Sequence, residues 1–263
     1  MEEYRQNVLL RVSYDGTCYS GWQVQKKSGV LLGGTVQEVL EEALMRLHKR
    51  YIKTTAAGRT DSGVHARAQA VSFFTNIKSL SEEKFPLAIN SFLPQSVKVM
   101  KANFVKENFN ARFSAIFRTY RYFIFCGNGL YPYNAPYCFN IRHTPSIKKL
   151  NLLAETLCGE KDFSFFAYAR DSSFSKMRYI KEAMFFMEGE YLVFQITASS
   201  FLWRMVRSIV GTLLEYEKKG FDAEYLKNAI KNKDRKYSGA TAPASALFLW
   251  DVEYPDDIFI NRP

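Results

Sequence analysis

One order of strand-like and helical segments occurs twice along this chain, and this repetition constrains the fold more than any single motif. The first half has a strand, a helix, two strands, a helix and a strand, over residues 7–15, 35–49, 51–57, 68–75, 81 to about 92, and 97–105. The second half has a strand, a helix, a hairpin, two helices and a strand, over residues 115–126, 146–158, 178–187 with 191–198, 200–216, 222–231 and 246–254. This order predicts an α+β fold of two ferredoxin-like (RRM-like) βαββαβ halves. We expect the halves to join into an extended, mostly antiparallel sheet with helices on one side.

Local signals define several ends of these elements. Thr35 and Glu38 have the spacing of a capping box, and the helix after them has an apolar face. Ser81 is expected to cap the second helix, and Gly159 to end the helix that begins at Ser146. The junction between the halves falls near residues 106–110, without a Gly/Ser linker. We therefore expect subdomains of residues 1–108 and 109–263.

The composition favours a polyanionic partner. Lys and Arg number 36 against 26 Asp and Glu, which gives a formal net charge of +10, and hydrophobic residues make up 47% of the chain. The apolar content is sufficient for a sizeable core. The positive charge is typical of a nucleic-acid partner more than of a membrane, although a solvated lysine-rich surface gives the same total.

Several function classes lack their motifs. The four cysteines have no C-x-x-C spacing, and the three histidines form no ligand pair with them. This pattern predicts neither a disulfide framework nor a zinc site. Gly16 and Gly21 have the separation of a phosphate loop, but Trp22 and Gln23 stand where Lys and Ser or Thr are required. We expect no metal, no nucleotide cofactor, no membrane association and a cytoplasmic location.

The loop from Gly58 to Gly63 is the strongest candidate for chemistry. It places Asp61 between Arg59 and a glycine, so the carboxylate can be presented in a cleft. A neighbouring cation such as Arg59 favours the ionised carboxylate, which is the form that acts as a nucleophile. Asp-Ser-Gly is also ordinary turn sequence, and taken alone the loop favours the turn.

The wider sequence resembles tRNA pseudouridine synthases of the TruA family. Six motifs carry this resemblance and follow the family's order: Tyr14-Asp15-Gly16 with Gly21-Trp22-Gln23, Thr35-Val36-Gln37-Glu38, Gly58-Arg59-Thr60-Asp61-Ser62-Gly63-Val64-His65-Ala66, Ala111-Arg112-Phe113-Ser114-Ala115, Arg118-Thr119-Tyr120-Arg121-Tyr122, and Phe201-Leu202-Trp203-Arg204-Met205-Val206-Arg207. The resemblance spans nearly the whole chain.

This resemblance implies an activity and a partner. It implies isomerisation of uridine to pseudouridine in the anticodon stem-loop of tRNA, just 3′ of the anticodon, by a homodimer that needs no cofactor. The subdomain 1–108 then carries the catalytic loop, and 109–263 completes the cleft. Whether the aspartate attacks the base or the ribose stays open.

The resemblance also implies individual roles. Asp61 is the nucleophile, Arg59 assists base extrusion, Tyr120 stacks on the target base, Arg207 pairs with Asp61, and Leu247 is an apolar wall of the base pocket. The Arg207 assignment has an independent basis, because a cation in so apolar a segment requires a partner. Ala246 departs from the family pattern, which has glycine before this leucine, so an added methyl group narrows the pocket or shifts Leu247.

Two other functions fit parts of the sequence. A non-catalytic RNA-binding or RNA-chaperone protein needs the basic surface but no particular residue at position 61. An aspartate-dependent phosphotransferase or hydrolase requires magnesium, so activity in EDTA would exclude it.

Overall fold

The computed structural model describes residues 5–24, 26–27, 30–31 and 34–260. The strands are β1 Gln6–Tyr14, β2 Lys26–Lys27, β3 Val30–Leu31, β4 Thr55–Ala56, β5 His65–Thr75, β6 Val97–Val105, β7 Phe117–Cys126, β8 Phe139–Ile141, β9 Gly159–Asp162, β10 Met177–Glu188, β11 Tyr191–Ala198 and β12 Leu247–Glu253. The α-helices are α1 Val36–His48, α2 Lys84–Asn90, α3 Ile147–Glu155, α4 Met205–Lys219 and α5 Ala223–Asn232. The fold is therefore mixed, with largely antiparallel sheet and five α-helices in the described residues.

The chain forms two compact units, Met1–Ile116 with Leu249–Pro263 (unit 1) and Phe117–Phe248 (unit 2). The predicted division into residues 1–108 and 109–263 stays a prediction. The returning C-terminal segment is held in unit 1 by backbone hydrogen bonds, from the Ile116 amide to the Glu253 carbonyl and from the Lys106 amide to the Ile258 carbonyl.

Unit 1 is built on the strand order β6-β1-β5-β12, with the short strand β4 also paired to β5. β1 runs antiparallel to both β5 and β6. β1 is apolar along most of its length and nearly all of its residues are buried, as expected for a strand between two neighbours. α1 and α2 belong to the same unit, and their buried positions include Leu40, Leu44 and Phe85.

Unit 2 has the strand order β7-β11-β10-β9, and β8 lies parallel to the end of β7. Alternate residues of β7 are buried, namely Tyr120, Tyr122 and Ile124, so they share one face. α4 carries the longest buried stripe of any helix in the described residues, from Met205 to Tyr216. The description of both halves as ferredoxin-like stays a prediction.

The helix caps show which local sequence signals correctly predicted the end of a helix. The capping box of α1 is confirmed, since the Thr35 side chain accepts from the Glu38 amide and the Glu38 carboxylate accepts from the Thr35 amide. α3 begins next to Ser146, as predicted, and the Ser146 side chain is its N-cap. The predicted end at Gly159 was wrong, because α3 ends at Glu155 and Gly159 begins β9. Ser81 was wrong as a side-chain cap, because α2 begins at Lys84 and its N-cap is Glu83. The Ser81 carbonyl accepts from the amides of Lys84 and Phe85 instead.

The predicted strand 51–57 is reduced to β4, and a buried carboxylate explains the difference. Glu41 on α1 accepts hydrogen bonds from the Thr54 amide at 3.0 Å, the Thr54 hydroxyl at 2.8 Å and the Tyr51 hydroxyl at 2.9 Å. These bonds tie the segment to the helix instead of to a neighbouring strand. A buried carboxylate requires such partners, so tertiary structure overrides the strand propensity here.

The described residues contain neither a membrane-spanning helix nor a cluster of metal ligands. Of the helices found there, none combines the length and apolar content that crossing a bilayer requires. Within these same segments, no three His, Cys, Asp or Glu side chains are grouped as a metal ligand set would be.

Candidate active site

The loop that carries Asp61 connects β4 to β5 in unit 1. Its first residues are held against β5, because the Ala57 amide donates to the Ala70 carbonyl at 2.8 Å and the Gln69 side chain donates to the Gly58 carbonyl at 2.9 Å. Asp61 is half-buried and Arg59 is exposed. The loop therefore leaves a rigid strand with its arginine in solvent and its carboxylate partly covered.

The segment from Tyr14 to Trp22 supports this loop from the other side. The Trp22 amide donates to the Thr60 carbonyl at 3.1 Å, and the Ser62 hydroxyl donates to the Tyr19 carbonyl at 3.1 Å. Within the loop, the Val64 amide donates to the Asp61 carbonyl at 3.2 Å. Backbone groups on both sides of Asp61 are thus occupied, which fixes the position of the carboxylate.

Two glycines make this contact possible. A Cβ at Gly16 would overlap the Val64 carbonyl, and a Cβ at Gly21 would lie 2.7 Å from the Thr60 carbonyl oxygen and 3.1 Å from the carbonyl carbon of Asp61. Gly21 also has φ +97°, a conformation that residues with a Cβ rarely adopt. Gly16 and Gly21, which have the spacing of a phosphate loop, therefore allow the Asp61 loop to pack directly against this segment.

Tyr14 lies beneath the loop as a buried hydrogen-bonding group. Its hydroxyl and that of Thr60 are 2.7 Å apart. Burial raises the pKa of the Tyr14 hydroxyl above its usual value, and hydrogen bonds with Thr60 and Gln69 oppose part of the rise. Tyr14 is therefore neutral at physiological pH and acts as a support for the residue next to Asp61.

His65 closes the loop at its C-terminal end and is almost fully buried. The Gly16 amide lies 3.0 Å from Nδ1 of His65, and a carboxylate oxygen of Asp15 lies 3.2 Å from the same nitrogen. One nitrogen cannot accept from the amide and donate to the carboxylate together. Because the amide can only donate, we assign Nδ1 as the acceptor and the ring as neutral. His65 is thus a structural anchor of the glycine segment.

The other predicted site residues belong to unit 2. Tyr120 on β7 is 8% exposed, and its ring meets that of Phe201 edge to face with 5.1 Å between centroids. Tyr122, two residues on, is fully buried and donates from its hydroxyl to the Pro243 carbonyl at 3.0 Å. Burial raises the pKa of Tyr122, and the positive charge of Arg207 opposes the rise.

Arg207 lies in the first turn of α4 and is joined to the segment that leads to Leu247. Its Nε donates to the Ala242 carbonyl at 2.7 Å, and the Ala242 amide donates to the Arg207 carbonyl at 3.1 Å. Further along α4, a Cβ at Gly211 would overlap the Ala240 carbonyl. Residues 240–243 are therefore packed closely on α4, and this packing relates Arg207 to Leu247 within the unit.

Leu247 and Ala246 are both buried. Ala246 ends a short 3₁₀ turn, Ala244–Ala246, immediately before β12. The non-glycine residues with positive φ in the described part of the chain are Lys49, Arg204 and Lys233. The backbone at 246 therefore accepts alanine in place of the family's glycine without strain.

α4 begins later than its sequence pattern predicts, because the backbone is left-handed at Arg204, and the carboxylate of Asp171 holds the residue before it. Arg204 has φ 59° and precedes the helix, which starts at Met205 instead of residue 200. The Trp203 amide donates to Asp171 Oδ2 at 2.7 Å, and Lys176 pairs with the same carboxylate. Burial opposes the charge on Asp171, but hydrogen bonds from Lys176, Trp203 and Ser173 outweigh it and lower the pKa of the carboxyl. Sequence reasoning missed Asp171, because the Trp203 amide that it binds is 32 residues away in sequence.

Comparisons with known proteins agree with one another. The family model described as tRNA pseudouridine synthase matches residues 11–114 and 153–255. A protein of Treponema denticola named tRNA pseudouridine synthase A is 48% identical over 263 residues, covering 100% of this chain and 98% of that protein. Proteins of the same name are 42% identical in Treponema pallidum strain Nichols, over 88% of this chain and 83% of that protein, and 40% identical in Borreliella burgdorferi strain B31, over 94% and 98%.

A solved structure of a Cbf5-Nop10-Gar1 complex also matches, with a TM-score of 0.35 and 11% identity over 79% of this chain and 44% of that chain, which is too low to support a structural argument. The matches span 83–98% of the length of these three relatives, and the family model includes both the Asp61 loop and the start of α4. The chain therefore belongs to the tRNA pseudouridine synthase family.

Proposed function

We propose that this protein isomerises uridine to pseudouridine in the anticodon stem-loop of tRNA, just 3′ of the anticodon. The observation that carries the proposal is the Asp61 loop, a half-buried carboxylate seated on two glycines in a chain of this family. In the reaction the bond between C1′ and N1 breaks and a bond between C1′ and C5 forms. The C5 proton leaves and N1 gains a proton, so the conversion is an isomerisation without net oxidation or reduction.

Asp61 is the proposed nucleophile, attacking either the uracil ring or the ribose. Arg207 is its proposed ion-pair partner, as the family resemblance implies, and the position of this guanidinium in an apolar helix segment favours pairing with a carboxylate. Arg59 is exposed on the same loop as Asp61, as a residue that assists extrusion of the base must be. Extrusion costs a few kcal/mol, and contacts to phosphates and to the base offset that cost.

Tyr120 and Leu247 are the proposed contacts of the extruded base. Tyr120→Ala should lower kcat about tenfold, since a base stacked on an aromatic ring contributes about 1–3 kcal/mol. Its effect on tRNA affinity should be smaller, because phosphate contacts dominate binding. Tyr120→Phe, which keeps the ring, is the control. Single-turnover kinetics alongside filter binding measure both effects, and a loss confined to affinity would remove the stacking role.

Three further properties are proposed, namely a broad RNA-binding surface, a homodimer and a cytoplasmic location. Two ferredoxin-like halves joined in one extended sheet would give a broad surface suited to a folded RNA. A homodimer is proposed because the family resemblance implies one, with the RNA crossing both subunits. A cytoplasmic location follows from the substrate, since tRNA is modified where it is used. Analytical ultracentrifugation of the protein, free and bound to tRNA, tests the dimer.

Pseudouridine mapping of an unmodified tRNA transcript, incubated with the protein in EDTA, tests the activity. Modification just 3′ of the anticodon is expected, and a transcript with cytidine at those positions should remain unmodified. A requirement for magnesium that persists with prefolded RNA would indicate phosphotransfer chemistry instead. Tight RNA binding without any modification would indicate the non-catalytic RNA-binding alternative, which the family membership does not favour.

A further inference from the structure

A loop of unit 2 outside the proposed catalytic residues displays an aromatic ring to solvent. Phe174, between β9 and β10, is fully exposed, and Trp203, just before α4, is 41% exposed. Exposed single apolar residues are common on protein surfaces. This pair differs because one carboxylate accepts hydrogen bonds from backbone amides in both of the segments that carry the two rings.

That carboxylate belongs to Asp171, whose side chain is only 5% exposed. Oδ1 accepts from the Ser173 amide at 2.9 Å, and Oδ2 accepts from the Trp203 amide at 2.7 Å. Lys176 donates to the same carboxylate and to the Asp171 carbonyl. Hydrogen bonds to an ionised acceptor are about twice as strong as neutral ones. Phe174 therefore extends from a loop that is held at both sides, rather than from a loose one.

Arg204 adds a cation to this surface in a constrained position. Its guanidinium carbon lies 4.2 Å from the centre of the Tyr168 ring and 5.5 Å from that of Trp203. Its Nε is buried and has no hydrogen-bond acceptor within the described residues. A guanidinium held against two aromatic rings keeps its positive charge in a fixed position, where it can contact a phosphate.

The two chain segments that carry this surface are rich in cations. Residues 163–181 and 199–211 together contain six Arg and Lys residues and one acidic residue, Asp171. Several of the cations donate to carbonyl groups, as Arg178 does to Ser175 at 2.9 Å. A carbonyl leaves the charge of the donor in place, so the surface attracts a polyanion. Exposed aromatic rings among cations are the means by which proteins bind unpaired nucleotides.

We propose that Phe174, Trp203 and Arg204, which we call the Asp171-anchored surface, bind an unpaired nucleotide of the RNA substrate, with Phe174 stacking on its base and Arg204 contacting a phosphate. This inference rests on the proposed function in taking tRNA as the substrate. It adds a binding position on the RNA away from the base that reacts. Phe174 and Arg204 have no part in the isomerisation itself.

Affinity measurements with two RNAs test the proposal. Phe174→Ala should weaken binding of an anticodon stem-loop RNA about five- to tenfold, and Phe174→Leu should weaken it similarly, because leucine is apolar but cannot stack. Phe174→Tyr should bind as the wild type does. Binding of a blunt duplex of equal length should not change in any variant, since it has no unpaired base. Leu87→Ala, at an apolar residue of α2 that is 74% exposed, is the matched surface control.

Arg204 has its own readout, the dependence of affinity on salt. Arg204→Gln should reduce the slope of log K against log salt by about one, as expected for one phosphate contact. An unchanged slope would overturn this part of the proposal. Wild-type affinity in Phe174→Ala, or wild-type affinity in Phe174→Leu, would overturn the stacking part.

The remaining outcomes are also decisive. If Phe174→Ala alters the sedimentation of the free protein and leaves RNA affinity unchanged, the surface binds a second copy of the chain and the proposal is wrong. The affinity series needs no turnover. A wild type that binds the stem-loop but forms no pseudouridine would therefore refute the proposed function while still testing this surface.

Discussion

Asp61→Asn is expected to lower the rate of pseudouridine formation by at least about a thousandfold, the scale of losses seen when an enzyme's nucleophile is removed. Asparagine has nearly the same shape but no negative charge to attack with. The hydrogen bonds that hold the loop use the Thr60 and Asp61 carbonyls and the Ser62 hydroxyl, so the substitution leaves them in place. Single-turnover pseudouridine release from a tRNA transcript measures the rate.

Ser62→Ala is the matched control for this substitution. It changes the neighbouring residue and removes the exposed hydrogen bond to Tyr19, yet it leaves the carboxylate intact, so activity should stay within a fewfold of wild type. Asp61→Asn should also keep its tRNA affinity, since phosphate contacts dominate binding. Activity of Asp61→Asn at a tenth of the wild-type rate would assign the nucleophile to another group.

Gly21→Ala is expected to lower kcat by on the order of a hundredfold, because a displacement of about 1 Å at the reacting group has effects of that size. The added Cβ would lie 2.7 Å from the Thr60 carbonyl oxygen, so the residues around Asp61 must move. The positive φ of 97° adds a backbone penalty of roughly 1–2 kcal/mol. Thermal unfolding and single-turnover kinetics on the same preparation separate the two effects.

Gly34→Ala tests the effect of backbone strain at a glycine where an added Cβ would not displace the Asp61 loop. Gly34 also has a positive φ, 75°, but the atom that its Cβ would meet first is the Ser20 hydroxyl at 3.9 Å. It should therefore lose similar stability and retain most of the activity. Equal losses of activity in both variants would show that the glycine segment acts through general stability and not by seating the Asp61 loop.

The local sequence predicted the structure correctly where the interacting residues are close together in sequence. Thr35 and Glu38 cap α1 through bonds between residues three apart, and the alternation of residues along β7 places Tyr120 and Tyr122 on the buried face and Arg121 on the other. Prediction failed where a distant side chain competed for the backbone. Glu41 binds the amide of Thr54, which the predicted strand would have paired with a neighbouring strand. Asp171 binds the amide of Trp203, just before the left-handed residue Arg204 that precedes α4.

The sequence by itself determined the family, the mixed architecture and the candidate residues, because ordered motifs and hydrophobic periodicity are properties of the chain. The sequence also drew attention to Gly16 and Gly21, but only because their spacing matches a phosphate loop whose other required residues are missing. Only the tertiary structure assigned them to the Asp61 loop, since the need for glycine arises from carbonyl groups more than 35 residues away. The same holds for Asp171, whose role depends on an amide that folding brings to it. Buried charges and close backbone contacts are long-range in sequence, so no local pattern reports them.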